Sequence, residues 1–229
     1  MSARRWLAAA AGAGLLLVLL PAIDLRLSGL FYRVDQGFYL ANAWPARALY
    51  LGVPWMMRGI AVALLASLAA SFALPSARSW RGPVVFGLLS LVLGPGLVTN
   101  TLLKDHWGRP RPEQINQFGG SAEFVPAPLV SRQCDHNCSF VSGHAAAAFW
   151  LITGAWVWPR RRRAWLAVGI AAGALAGLAR IVQGGHFLSD VLGALAVVWA
   201  CNALLYRWMV AQGWLSPLPA DERDISIII

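Results

Sequence analysis

Six predominantly apolar runs, approximately residues 6–23, 53–74, 83–103, 142–158, 164–182 and 187–206, divide the chain, and the breaks between them are polar. Runs of roughly 17–25 apolar residues have the length an α-helix needs to cross a bilayer. The pattern therefore predicts an all-α polytopic membrane protein, one integral-membrane domain over residues 1–229 with six transmembrane helices. Between the first two runs, residues 24–52 mix Leu25, Leu27, Leu30, Phe31, Tyr32, Phe38 and Tyr39 with Arg26, Arg33, Asp35 and Gln36. This alternation fits an interfacial segment lying along the headgroup layer. It fits a loop packed on the bundle equally well.

Local features refine the spans. Gly94-Pro95-Gly96 and Asn100-Thr101 inside the third run predict a kink and close packing, and the Ala/Gly-rich fifth run predicts close helix approach. Arginines set the orientation. Arg4 and Arg5 precede the first run, Arg78 and Arg81 follow the second, and Arg160, Arg161, Arg162 and Arg163 follow the fourth. By the positive-inside rule these segments are cytoplasmic, as are both termini. The first run lacks a small-x-small cleavage site before Asp24 and reads as a retained span. Alternation then places the long polar stretch, residues 104–141, on the outer side as a periplasmic loop of a bacterial inner-membrane protein.

Apolar residues make up 58% of the chain and charged ones only 13%, which excludes a soluble domain of this size. The formal charge of +9 is scattered between apolar runs rather than gathered in a basic domain, so it does not indicate nucleic acid. The sole lysine, Lys104, sits in the densest charged cluster. Cys134 and Cys138 lie in the outer loop, where an oxidising compartment would allow a short disulfide. With His136 and His144 they also make a conceivable zinc set, but the spacing matches no common structural site, and the disulfide is the favoured reading.

Three clusters fall at the outer ends of spans three to six. The first, Lys104-Asp-His-Trp-Gly-Arg109-Pro-Arg111-Pro112, gathers cations that an anion such as phosphate would hold together. In the second, Ser142-Gly143-His144, Ser142 suits a helix N-cap, and the free N–H groups of the first turn suit the same anion. His144 then stands where it can protonate a leaving oxygen. The third runs from Arg180 across Gly184-Gly185 to His186 and Asp190, which share a helix face at a spacing of four. A carboxylate so placed can orient an imidazole and stabilise its cation. Taken singly, each residue also reads as a satisfied polar group at a helix end.

Together, Lys104-x6-Arg111-Pro112, Ser142-Gly143-His144 and Arg180-x5-His186-x3-Asp190 resemble the three-part signature of the type 2 phosphatidic acid phosphatase family. The resemblance implies a lipid phosphatase in which His186 attacks phosphorus to form a phosphohistidine, Asp190 orients it, and His144 serves as acid and then base. Lys104, Arg111, Arg180, Ser142 and Gly143 would bind the phosphoryl oxygens. It implies no metal or other cofactor and no obligate protein partner, only a lipid phosphate substrate drawn from the bilayer. Val141 and Ala179 depart from the proline and serine usual before the second and third motifs, which touches fine geometry rather than a catalytic group. Arg109 lies outside the signature and is expected to contact headgroups; Asp105 and His106 are expected to be loop residues.

Candidate substrates are lipid A, undecaprenyl diphosphate, phosphatidylglycerol phosphate and phosphatidic acid. Phe118-Gly119-Gly120 and Cys134-x3-Cys138 ahead of Ser142-Gly143-His144 look like the bacterial lipid A phosphatase branch. A lipid-to-lipid phosphotransferase would use the same site with an alcohol in place of water. An anion or lipid transporter would place its polar residues near the midplane rather than at one edge.

Overall fold

The computed structural model describes residues 20–218. The first predicted span, 6–23, lies almost wholly outside them. Helix α1 runs through residues 20–29 and leads into a short antiparallel hairpin, β1 (Tyr32–Arg33) with β2 (Gly37–Phe38), in the register Tyr32 to Phe38 and Arg33 to Gly37. Then comes α2 (Trp44–Ala73), nine residues earlier than the run predicted to start at 53. Pro45 sits in the first turn, where its missing N–H costs nothing, so the helix opens there despite Arg47. The segment predicted as interfacial therefore ends at 43. Two of its aromatic residues turn inward: Tyr32 and Phe38 pack on Phe118 with ring centroids 5.2 Å and 5.5 Å apart, fastening the hairpin to the long loop.

After a 3₁₀ turn, Pro75–Trp80, α3 (Arg81–Leu91) continues as a wider π-helical stretch, Val92–Leu103, and ends in α4 (Lys104–His106). The predicted kink is here. Pro95 has no N–H to give the preceding turn, and its own carbonyl is capped by the Asn100 side chain at 2.7 Å. Gly94 packs against the last helix at Val198 and Cys201, where a Cβ would make ordinary contacts of 3.7–3.9 Å.

The predicted fourth span is not one helix. It is α5 (Gly143–Phe149), a 3₁₀ turn (Trp150–Thr153) and α6 (Gly154–Val157), and it is not among the four helices of the described residues that are long and apolar enough to cross a bilayer. At 1.5 Å per residue it reaches only about 22 Å, against about 30 Å of hydrocarbon. Most of its side chains are buried, so it forms the centre of the bundle and is shielded from lipid. The four that qualify are Trp44–Ala73, Pro75–His106, Pro159–Val182 and Leu188–Ala211.

Helix α7 (Arg162–Val182) carries Gly169, Gly173 and Gly177 four apart on one face. A Cβ at these positions would run into Ile152, Phe149 and Val191, so the stripe is what lets α7 lie against α5 and α8 (Leu188–Ala211). Phe86, Ala145, Ala146, Ile152, Ala194 and Val198 fill the shared core. Val62, Leu65 and Phe72 of α2 instead face outward, as lipid-facing side chains must.

Candidate active site

The ends that carry the chemistry meet at one end of the bundle: the C-termini of α4 and α7, the N-termini of α5 and α8, and the first turns of α2. Ser142 is the N-cap of α5, its hydroxyl accepting from the Ala145 N–H, as its position predicts. The Gly184-Gly185 turn between α7 and α8 requires both glycines. Gly184 has φ +69°, and its missing side chain leaves room for Phe38 of the hairpin. At Gly185 a Cβ would collide with the Arg180 guanidinium, so glycine is what allows that cation to fold back over the turn.

His186 is 1% exposed and Asp190 is fully buried. Nδ1 of His186 lies 3.6 Å from Oδ2 of Asp190, an ion-pair separation longer than a hydrogen bond. The carboxylate is held from every other side. It accepts from the Ser139 hydroxyl at 2.6 Å and from the Phe187 N–H at 2.8 Å, and its other oxygen pairs with Arg109. Burial holds His186 far below the usual imidazole range, at about 3, against the pull of Asp190. The ring is neutral at pH 7. With Nδ1 facing the carboxylate, Nε2 carries the lone pair, as a nucleophile needs.

His144, half-buried, is held differently. Its Nε2 lies 3.1 Å from the Tyr50 carbonyl, and its ring stacks on Tyr50 at 4.7 Å. The Arg180 guanidinium covers the same tyrosine, 4.8 Å from the ring centroid. Lys104, Arg111 and Arg180 all act on the His144 imidazole, and Lys104 and Arg180 also act on His186, so both rings lie within electrostatic reach of shared cations. Lys104 Nζ donates to the Asn137 side-chain carbonyl at 2.8 Å, and Arg111 donates to the Asn137 backbone carbonyl at 2.9 Å. Gly143 sits against Lys104, 3.4 Å from its Cε to an ideal Cβ position.

Every predicted site residue is thus brought to one end. Cys134 and Cys138 are joined in a disulfide that closes the turn carrying Asn137. Backbone bonds from Cys138 N–H to the Lys104 carbonyl and from Ser139 N–H to the Arg109 carbonyl fix that turn beside the cations. Sequence reasoning missed Tyr50, Asn137, Ser139 and Asp24, none of which stands within a motif. It also misplaced Arg109, which is fully buried and contacts carboxylates instead of headgroups. Arg109 lies two residues from Arg111 and differs from it in burial, which no spacing in the sequence reports. Among the described residues, no group of three or more His, Cys, Asp or Glu is placed to hold a metal ion. An apolar cavity of about 540 Å³, lined by Trp80, Trp150, Trp158 and Trp165, contains none of the site residues.

The PAP2 superfamily pattern matches residues 83–214, which include the motifs and the helices that carry them. The chain belongs to the PAP2 superfamily. It is 35% identical over 207 residues to a lipid A 4′-phosphatase of Francisella tularensis subsp. novicida, covering 83% of this chain and 89% of that one. A lipid A 4′-phosphatase of Rhizobium etli is 46% identical over 121 residues, 52% of this chain and 47% of its own. A lipid A 1-phosphatase of Rhizobium johnstonii is 31% identical over 189 residues, 76% of this chain and 68% of its own. No solved structure matches. The PAP2 membership and these relatives make the protein a phosphatase that acts on a membrane lipid, and they fit a bacterial inner-membrane location.

Proposed function

We propose that this PAP2 phosphatase removes the 4′-phosphate of lipid A at the periplasmic face of the inner membrane, through a phosphohistidine on His186. The observation that carries the reading is a buried, neutral His186 backed by Asp190 and a second, more open imidazole, His144, both within reach of Lys104 and Arg180. The three relatives that bear the 4′ name are 35%, 46% and 44% identical over the matched parts, against 31% and 32% for the two that bear the 1 name, which favours the 4′-phosphate. The arginine-rich breaks Arg78 to Arg81 and Arg160 to Arg163 lie at the opposite ends of the helices from the site, which favours a periplasmic opening.

In the first step Nε2 of His186 attacks phosphorus. A P–N bond forms as the P–O bond to the sugar breaks, and the departing oxygen takes its proton from His144. The negative charge of bound phosphate offsets the three cations around His144 and favours the protonated form this step requires. Lys104, Arg111 and Arg180, with the Ser142 hydroxyl and Gly143 N–H, neutralise the equatorial oxygens. In the second step water gives a proton to His144 and attacks the phosphohistidine. The P–N bond breaks, releasing inorganic phosphate and restoring both rings.

The test is to incubate purified protein with bisphosphorylated lipid A and identify the product by mass spectrometry, alongside His186→Ala and His144→Ala. The expected product is the 1-phosphate species from wild type, none above background from His186→Ala and a strongly reduced yield from His144→Ala. Equal turnover by all three would overturn the reading, and loss of the 1-phosphate instead would overturn the choice of position.

A further inference from the structure

Arg109, Asp24, Asp190 and Ser189 form a fully enclosed charge network, and the mechanism above uses only its end. The Arg109 guanidinium is buried between two carboxylates. It donates to Asp24 Oδ2 at 2.9 Å, to the Ser189 hydroxyl at 2.8 Å and to Asp190, while its Nε donates to the Val125 carbonyl at 2.7 Å. Asp24, 1% exposed, also accepts from the Ser189 N–H at 2.9 Å and from the Ser189 hydroxyl. Every partner of Asp24 is a donor, and an acceptor-only carboxylate is the form that satisfies them all. Asp24 lies outside residues 83–214, the part that carries the family pattern.

The charge count gives the network a use. Arg109 and Asp190 alone would form a neutral pair, a weak partner for a cation. Two carboxylates on one guanidinium leave one net negative charge, delivered through Asp190 to the far side of the His186 ring. During attack that ring passes from neutral to cationic, in a dry site where an uncompensated unit charge acts strongly. Replacing a whole buried ion set by well-packed apolar side chains is often neutral or stabilising, so folding alone does not call for this one.

We propose that Asp24 is a positioning residue for the phosphatase reaction, sharing Arg109 with Asp190 so that one net negative charge remains beside His186. The proposal rests on His186 being the nucleophile. Full-length protein in detergent is assayed with lipid A for kcat, KM and the level of phosphoenzyme on His186. Asp24→Asn keeps the side-chain shape and removes the charge; kcat is expected to fall about 10- to 100-fold with KM within about twofold, the fold-change corresponding to a buried charge worth about 1.4–2.8 kcal/mol. The double variant Asp24→Asn with Arg109→Gln leaves Asp190 uncompensated again and is expected to be about tenfold faster than Asp24→Asn alone.

Asp24→Glu keeps the charge and is expected to retain kcat within about threefold, an arm that stands even where Asp24→Asn does not purify folded. An Asp24→Asn kcat within twofold of wild type, a double variant no faster than Asp24→Asn, or an Asp24→Glu variant as slow as Asp24→Asn overturns the proposal. Wild type that forms no phosphoenzyme on His186 overturns the nucleophile assignment instead, so the two failures are distinct.

Discussion

His186 and His144 face the same group of cations from surroundings that differ in almost every respect. His186 is 1% exposed, backed by a carboxylate that is itself held by Ser139, the Phe187 N–H and Arg109. His144 is half-buried and leans on a backbone carbonyl and an aromatic ring, both supplied by Tyr50. The difference follows from the two roles proposed. A nucleophile must present one lone pair in one direction, and rigidity with low dielectric serves it. An acid that later becomes a base must reach first a leaving oxygen and then water, so it needs contact with solvent and a support that leaves its ring accessible.

The largest expected effect breaks the buried half. His186→Ala should lower lipid A hydrolysis by about four orders of magnitude or more, since no phosphoenzyme can form. Breaking the open half should cost less: His144→Ala is expected to lose about 10²- to 10⁴-fold. The phosphoenzyme should also persist in that variant, because its breakdown loses the base. Rapid quench with labelled substrate separates the two, and a His144→Ala variant with no slower phosphoenzyme decay would break the comparison.

Smaller effects sharpen it. Replacing Cys134 and Cys138 by serine frees the turn that presents Asn137 to Lys104 and Arg111, and KM should rise about tenfold with kcat little changed, the cost of about one hydrogen bond to a charged group. Tyr50→Leu removes the ring on which His144 stacks and should slow turnover about two- to tenfold, in line with about 0.5–1.5 kcal/mol for an aromatic pair. Steady-state kinetics checks both. The smallest is a pH effect on stability. The folded protein holds His186 at about 3 against an ordinary 6.5, so between those values the unfolded chain binds a proton that the folded one refuses. Stability should therefore fall as pH drops below 6.5 through that window, and His186→Gln should flatten the decline by a few degrees in melts at pH 7 and pH 5.

The residues proposed to bind and attack could be grouped from the sequence because each sits in a short motif at the end of an apolar run. Helix ends converge whenever spans pack side by side, so Lys104, Ser142, Arg180 and His186 could be placed together without coordinates. The supports were not legible. Asp24 reaches Arg109 across 85 positions and Tyr50 reaches His144 across 94, and no local spacing reports such a pairing. Arg109 shares a motif with Arg111, and only burial separates an ion-pair partner from a phosphate ligand. Residues 142–158 read as an unbroken apolar span, and composition could not report that a 3₁₀ turn interrupts the helix or that most of its side chains are buried in the bundle. The start of α2 was hidden by Pro45 and Arg47, which break the apolar run without breaking the helix.

The most direct measurement is acid-free denaturing quench of wild type and His144→Ala during turnover of lipid A labelled in its 4′-phosphate, followed by peptide mapping. The account predicts an alkali-stable, acid-labile phosphoryl group on His186, more abundant in His144→Ala than in wild type. Label on another residue, or hydrolysis that proceeds with no covalent phosphate on His186 in either protein, would contradict it.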